Sequence, residues 1–175
     1  MNRKNLRIRM AVPEDAGTLL KIYEPYVKNT CITFEYQVPS VEEFTQRIRE
    51  TLKKYPYLIA EQNGEILGYA YASPFKGRPA YDWAVETTVY LKVNVRGNGI
   101  GRQLYTALED ILRRQNITNA NACITYPNPE SIGFHEKWGI GQWDILRNAD
   151  IRADTGLMWC GWKNSCRSIR INRRR

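Results

Sequence analysis

Between Thr87 and Leu112 the chain reads as strand, glycine turn and helix, the stretch around which the rest is organised. Thr87-Thr88-Val89-Tyr90-Leu91 is an apolar, β-branched run that predicts a buried strand. Arg96-Gly97-Asn98-Gly99-Ile100-Gly101 follows, and Ile100, Leu104, Leu108, Ile111 and Leu112 then recur at helical spacing. Such a segment aims the unpaired N–H groups of a helix's first turn at an anion, with the helix dipole in support. Glycines let the backbone approach a ligand and adopt positive φ. Arg96 adds a bidentate charge for the same anion. A second reading uses these glycines only for tight packing at a helix start. The P-loop lacks support, because no Gly-Lys-Ser/Thr ending follows. A dinucleotide fold would usually carry its glycine turn in the first βα unit.

The rest of the chain supplies layers around this segment. Leu6–Met10 alternates and predicts a first strand. Pro13-Glu14-Asp15 suits a helix start, and Leu19, Leu20, Ile22, Tyr23 and Val27 form an apolar stripe after it. Ser40-Val41-Glu42-Glu43 reads as a capping box for a second helix with Phe44, Ile48 and Leu52 on one face. Asn63-Gly64 predicts a hairpin between strands 57–60 and 66–72. A loop, 74–82, leads to a strand over 83–91. Asn119–Tyr126 predicts a strand after the glycine-turn helix, and 130–138 a short last helix beyond Pro127-Asn128-Pro129. Strand, two helices, antiparallel strands, helix, strand, helix is an α/β layered order.

Composition narrows the functional classes. A chain of 175 residues suits one domain with a sizeable core. No run is long enough to span a membrane and no signal-peptide h-region opens the chain, so the cytoplasm is the expected location. Four cysteines without a Cys-x-x-Cys pair, beside a single histidine, argue against a metal site. Cys31 and Cys123 sit in apolar sequence and read as packing residues. Of the net charge of +8, residues 140–175 carry +5, from eight Lys/Arg against three Asp/Glu. That basic end, closing on Arg173-Arg174-Arg175, reads first as a solvated terminus and second as a contact for nucleic acid or a membrane surface.

The Arg-Gly-x-Gly-Ile-Gly turn after a strand resembles motif A of the GNAT N-acetyltransferases. A closer resemblance, to the phosphinothricin acetyltransferase branch, covers residues 6–139. It rests on Thr33-Phe34-Glu35, Tyr55-Pro56, Ala80-Tyr81-Asp82-Trp83, Glu86-Thr87-Thr88-Val89-Tyr90, Arg96 to Gly101, and Asn128-Pro129-Glu130-Ser131 with His135-Glu136-Lys137. The resemblance implies a GNAT fold: a mixed, mostly antiparallel sheet, helices on both faces, and fourth and fifth strands that splay around a thioester. It implies acetyl-CoA as cosubstrate, a small amine such as phosphinothricin or methionine sulfone or sulfoximine as acceptor, and a homodimer.

Site roles follow from the same resemblance. Glu86 stands where the family places a base, and the alternative is an acid that holds the amine electrostatically. Backbone N–H groups of Val89, Tyr90 and Leu91 would bind the pantetheine arm and polarise the thioester carbonyl. Arg96, Gly97, Asn98, Gly99, Ile100, Gly101 and Arg102 would hold the pyrophosphate, with Asn128 and Ser131 at the last helix. Asn128 would serve equally as an N-cap. His135 falls where many relatives carry a proton donor for the leaving thiolate; cofactor contact and a structural role are its alternatives. Phe34, Glu35, Arg78, Tyr81 and Trp83 are acceptor candidates, and each would also suit loop packing. Arg78 would pair a carboxylate or phosphinate.

The resemblance ends at Gly139, which divides the chain into an acetyltransferase domain, 1–139, and a divergent tail, 140–175. Codons exist for Thr155–Cys166 that, read in another frame, give Trp-Phe-Asp-Val-Val-Trp-Met-Glu-Lys-Gln-Leu, similar to the family's last strand. The tail therefore reads as a frameshift, and the gene sequence tests it. A substitute strand over 156–162 would be apolar enough to pair on a sheet edge, with alternation not matched to the core. Reduced stability and weakened activity are the expectation. Two rival readings follow: an acyl-CoA-binding homologue with impaired catalysis, and, ranked last, a nucleic-acid module using the basic end.

Overall fold

The computed structural model describes residues 5–146 and 157–164. The end of the basic tail, including Cys166 and Arg173-Arg174-Arg175, lies outside the described residues. Eleven elements follow in order: β1 (Leu6–Met10), α1 (Ala16–Asn29), α2 (Val41–Leu52), β2 (Tyr57–Gln62), β3 (Glu65–Pro74), β4 (Ala84–Leu91), α3 (Ile100–Arg114), β5 (Asn119–Tyr126), α4 (Pro129–Lys137), β6 (Gly141–Leu146) and β7 (Leu157–Asn164). Among the described residues the strands form one sheet in the order β1-β2-β3-β4-β5-β7-β6. Every neighbouring pair is antiparallel except β4 and β5.

Local chemistry starts and stops these elements as the sequence predicts, with one change. Asn63 and Gly64 both take positive φ, 52° and 79°, which matches the right-handed twist of the β2–β3 hairpin. Ser40 Oγ accepts the Glu43 N–H at 3.1 Å and caps α2. The return arm of the expected capping box is replaced: Glu43 pairs instead with Arg47 at 2.5 Å, one turn on. Asp15, before α1, takes both terminal nitrogens of Arg9 at 2.8 Å.

Two apolar clusters sandwich the sheet. Leu19, Ile22, Tyr23 and Val27 of α1 with Phe44 and Ile48 of α2 cover Tyr57, Ile59 and Tyr69. On the other face, Leu104, Tyr105, Leu108 and Leu112 of α3 cover Leu58, Ala70, Ala72 and Val85. Alternation along each strand divides the side chains between these faces.

β4 and β5 are joined only at Ala84–Asn119, Val85–Ala120 and Glu86–Asn121. Beyond Glu86, β4 continues to Leu91 bonded to β3, and β5 continues to Tyr126 bonded to β7. The fourth and fifth strands thus part, as the fold class required.

The tail adds two strands to the sheet. β7 pairs along the edge of β5 from Asn119–Asn164 to Tyr126–Leu157, and β6 pairs on its far side. Strand pairing joins backbones, so a run with the right length and extended propensity satisfies the β5 edge.

Candidate active site

The glycine turn takes the positive-φ backbone that its spacing predicts. Gly97 and Gly99 both sit at φ 78°, where side chains are strained. Gly99 is the residue before α3, and no side chain caps that helix end. Close packing does not explain Gly97. A Cβ at Gly97 would meet nothing within 4 Å, and one at Gly101 would meet Phe134 and Leu91 only at ordinary contact, 3.5 and 3.6 Å. Conformation accounts for Gly97 and Gly99, whereas Gly101 is buried in the first turn of α3 against Phe134 and Leu91. The first-turn N–H groups from Ile100 onward are uncapped by any side chain and open beside exposed Arg102, an arrangement able to receive an anion. Asn98 ties the turn together, donating Nδ2 to Val95 O at 3.3 Å.

Arg96 is not idle at this turn. Its guanidinium lies 5.3 Å over the Tyr26 ring and its Nη1 is 3.2 Å from Glu130 in the first turn of α4. An anion arriving at the α3 start would compete with Glu130 for it. Asn128 acts as the N-cap of α4, its Oδ1 accepting the Ser131 N–H at 3.2 Å. Its Nδ2 has no partner among the described residues, so cap and ligand donor are compatible uses of one amide.

Between these helix starts runs the open flank of β4. Val89, Tyr90 and Leu91 bond to β3 on one side, at Ala70, Tyr69 and Gly68, and face the gap left by β5 on the other. Tyr26 donates to Leu91 O at 2.5 Å, holding α1 to the end of the strand. An uncapped, glycine-led helix start and a strand flank opened by its neighbour's departure fit a ligand with phosphates and a long amide arm.

A profile of the acetyltransferase (GNAT) domain matches residues 8–152. The chain belongs to the GNAT acetyltransferase family. It is 36% identical to a phosphinothricin N-acetyltransferase of Streptomyces coelicolor over 138 residues, 77% of this chain and 81% of that one. It is 35% identical to an L-methionine sulfoximine/L-methionine sulfone acetyltransferase of Pseudomonas aeruginosa over 137 residues, 75% and 78% of the two chains. A GNAT superfamily phosphinothricin acetyltransferase from Sinorhizobium meliloti, solved in complex with AcCoA, superposes with a TM-score of 0.86 at 29% identity over 91% of this chain and 88% of that one.

In this acetyltransferase Glu86 is the last β4 residue paired to β5, at the mouth of the gap. Burial pushes its carboxyl above the ordinary carboxylate value, and a hydrogen bond from the Cys123 thiol opposes that shift. The floor beside it is tyrosine. Tyr71 and Thr88 are cross-strand partners, as are Tyr69 and Tyr90, and the Tyr57 and Tyr71 rings stack at 4.8 Å. The loop after α1 forms a wall: Tyr23 bonds Thr33 at 2.5 Å, and Thr125 of β5 donates to Cys31 O at 2.6 Å. Glu35 pairs with Arg47 of α2.

The acceptor candidates divide. Phe34 and Glu35 are half-buried in that wall. Arg78 is exposed, and Tyr81 and Trp83 are 39% and 53% exposed before β4. Tyr81 packs edge-on against Phe75 at 6.3 Å rather than against the tyrosine floor. Sequence reasoning missed Tyr71, Arg47 and Cys123. The alternation Tyr69-x-Tyr71 was a readable sign of the floor; Arg47 and Cys123 needed tertiary register. Both cysteine readings change: Cys31 is exposed, and half-buried Cys123 adjoins the candidate base.

His135 is 3% exposed and sits inside a hydrogen-bond chain between α4, α3 and β4. Its Nδ1 meets Ser131 O at 2.7 Å, and its Nε2 meets Tyr105 OH at 2.8 Å. Tyr105 OH lies 3.2 Å from Thr87 Oγ1, which donates to Asn121 O at 3.0 Å. A carbonyl only accepts, so Nδ1 carries the proton in the neutral ring and Tyr105 donates to Nε2. Thr87 sends its proton to Asn121 O, which leaves the longest link, Tyr105 to Thr87, without one. The ring therefore ties α3 and α4 to β4, the strand that carries Glu86.

Burial holds His135 below its ordinary value of 6.5, against the hydrogen bond to Ser131. Its folded-state value is depressed, so the unfolded chain binds the proton more readily once pH drops below about 6.5. Stability is expected to fall between pH 7 and pH 5, read as the urea midpoint, with a shallower fall in His135→Gln. Nitrogen NMR of this sole histidine should show the Nδ1–H tautomer at pH 7.5. An Nε2–H tautomer would refute the assignment.

Proposed function

We propose that this chain transfers an acetyl group from acetyl-CoA to the primary amine of a small amino-acid-like acceptor, of the phosphinothricin or methionine sulfone/sulfoximine type. The observation that carries this is the parting of β4 from β5 directly after Glu86, with the glycine-led start of α3 beyond the far end of the same strand. Acetyl-CoA supplies an acyl carbon activated as a thioester.

The chain's residues do the rest. The α3 N-terminus with Arg96 and Arg102 holds phosphate, and Asn128 contributes its free amide hydrogens. The Val89–Leu91 backbone extends the sheet to the amide arm and donates to the reacting carbonyl. Glu86 takes the ammonium proton, directly or through one water, so that the neutral amine attacks. Its raised value suits this task, since a base works best near the operating pH. His135, engaged on both nitrogens, serves by fixing α3, α4 and β4 together; delivery of a proton to the leaving thiolate would first require Tyr105 to move. Phe34 and Glu35 border the acceptor, and Arg78, Tyr81 and Trp83 would reach it from the mouth. The enzyme works as a homodimer in the cytoplasm on this reading. No described helix is long and apolar enough to cross a membrane.

The test is thiol release from acetyl-CoA by the purified chain, offered phosphinothricin, methionine sulfone, methionine sulfoximine and ordinary amino acids. Release with one of the first three is the expected result. A tail divergent after Gly139, as the sequence reading has it, would favour one rival, an acyl-CoA-binding homologue with impaired catalysis. Tight CoA binding without release from any acceptor would select it.

A further inference from the structure

We propose that Cys123 is a positioning residue for Glu86: reaching across the mouth of the strand gap, its thiol donates to the carboxylate and keeps it turned toward the place of the acceptor amine. This rests on the proposed reaction, in which Glu86 is the base.

The sheet sets the geometry. Glu86 and Asn121 are the last pair before β4 and β5 separate, and paired residues of a parallel ladder point to the same face. Asn121 is buried and its Nδ2 is spent on Val85 O at 3.0 Å. Cys123, two residues further, is therefore the first β5 side chain on that face beyond the joint. It is half-buried, as Glu86 is, and its thiol hydrogen-bonds the Glu86 carboxylate.

The other groups around Glu86 do not substitute for it. Tyr71 of β3 lies in electrostatic reach but shares a hydrogen bond with Thr88. Tyr105 of α3 also feels Glu86, yet its hydroxyl is committed to His135 behind the sheet. Arg47 of α2 and Glu35 of the loop act on Tyr71 and pair with each other. A thiol is a weak donor, which suits the position: it orients a carboxylate without quenching its basicity as an arginine would.

The experiment compares the pH profiles of kcat/KM for the full chain, Cys123→Ala and Cys123→Ser. In Cys123→Ala the acid limb is expected to move up by about half a pH unit, the scale of one weak hydrogen bond to a charge. Cys123→Ser, which restores a donor, should return the limb to or below its original place. A packing role would lower the rate equally at all pH values and leave the limb where it was, and that result overturns the proposal.

A second measurement needs no turnover. A thiol donating to a carboxylate ionises reluctantly, so Glu86→Gln should speed alkylation of Cys123 by iodoacetamide at pH 7.5 about threefold, followed by peptide mass spectrometry. Equal rates in the two proteins overturn the contact. If the unmodified chain acetylates no acceptor, the proposed function fails while this arm still reports on the pair.

Discussion

Replacing Glu86 by Gln is expected to lower kcat/KM by about 10²–10⁴-fold and, at the same time, to make the protein more stable at pH 8. The first effect is the usual weight of a general base in proton transfer. The second follows from the sign of the shift. Burial raises the Glu86 carboxyl above its ordinary value, so ionisation is harder in the folded chain than in the unfolded one. The stability this group contributes is fully present below the unfolded value near 4.5 and is lost as pH rises through the folded value. At pH 8 the wild-type chain carries a charge it would rather not bury, and the amide keeps the shape without it. Paired urea midpoints at pH 8 and pH 4.5 check this: the variant's advantage should vanish at the lower pH. Wild-type rates from pH 7 to pH 9 would remove Glu86 from the role of base. An unchanged midpoint at pH 8 would mean that water reaches the carboxylate freely.

Ending the chain after Ile140 is expected to abolish cooperative folding. β7 covers the whole of β5, from Asn119–Asn164 to Tyr126–Leu157, and β6 closes the sheet beyond it. Without them β5 becomes a long bare edge, a template for intermolecular pairing. Ala122 and Ile124 of that strand belong to the α3-side core, as does Ile140, 1% exposed at the point of truncation. Circular dichroism through a urea titration should show no sigmoidal transition, and the protein should partition into the insoluble fraction. A truncated chain with the full chain's midpoint would show that the last strands contribute nothing to the fold. On this expectation the segment after Gly139 is indispensable to the fold.

Local signals carried most of the fold. Asn63-Gly64 announced the hairpin, Ser40 the cap of α2, and the Leu19–Val27 stripe the buried face of α1, because each depends on residues a few positions apart. The glycine turn was legible for the same reason: the positive φ at Gly97 and Gly99 and the uncapped start of α3 are local properties. What escaped depends on register. Cys123 meets Glu86 only because two strands align at Glu86–Asn121, and nothing in either strand states that alignment. The bond between Tyr105 and His135 is equally invisible, since it needs α3 and α4 to dock on one side of the sheet. The partner of β7 was not legible either, because strand pairing is a backbone matter and a side-chain pattern names no neighbour.

The single parallel joint of the sheet, three residue pairs between β4 and β5, is also a mechanical seam. Four strands on one side carry the open flank of β4, and three on the other, β5, β7 and β6, come from later in the chain. So short a joint transmits little register from one block to the other. The later block can then accept a changed sequence, keeping its own ladder, while the glycine turn and Glu86 in the earlier block hold their places. Modularity of this kind lets an enzyme scaffold be rewritten at one end without first being dismantled at the other.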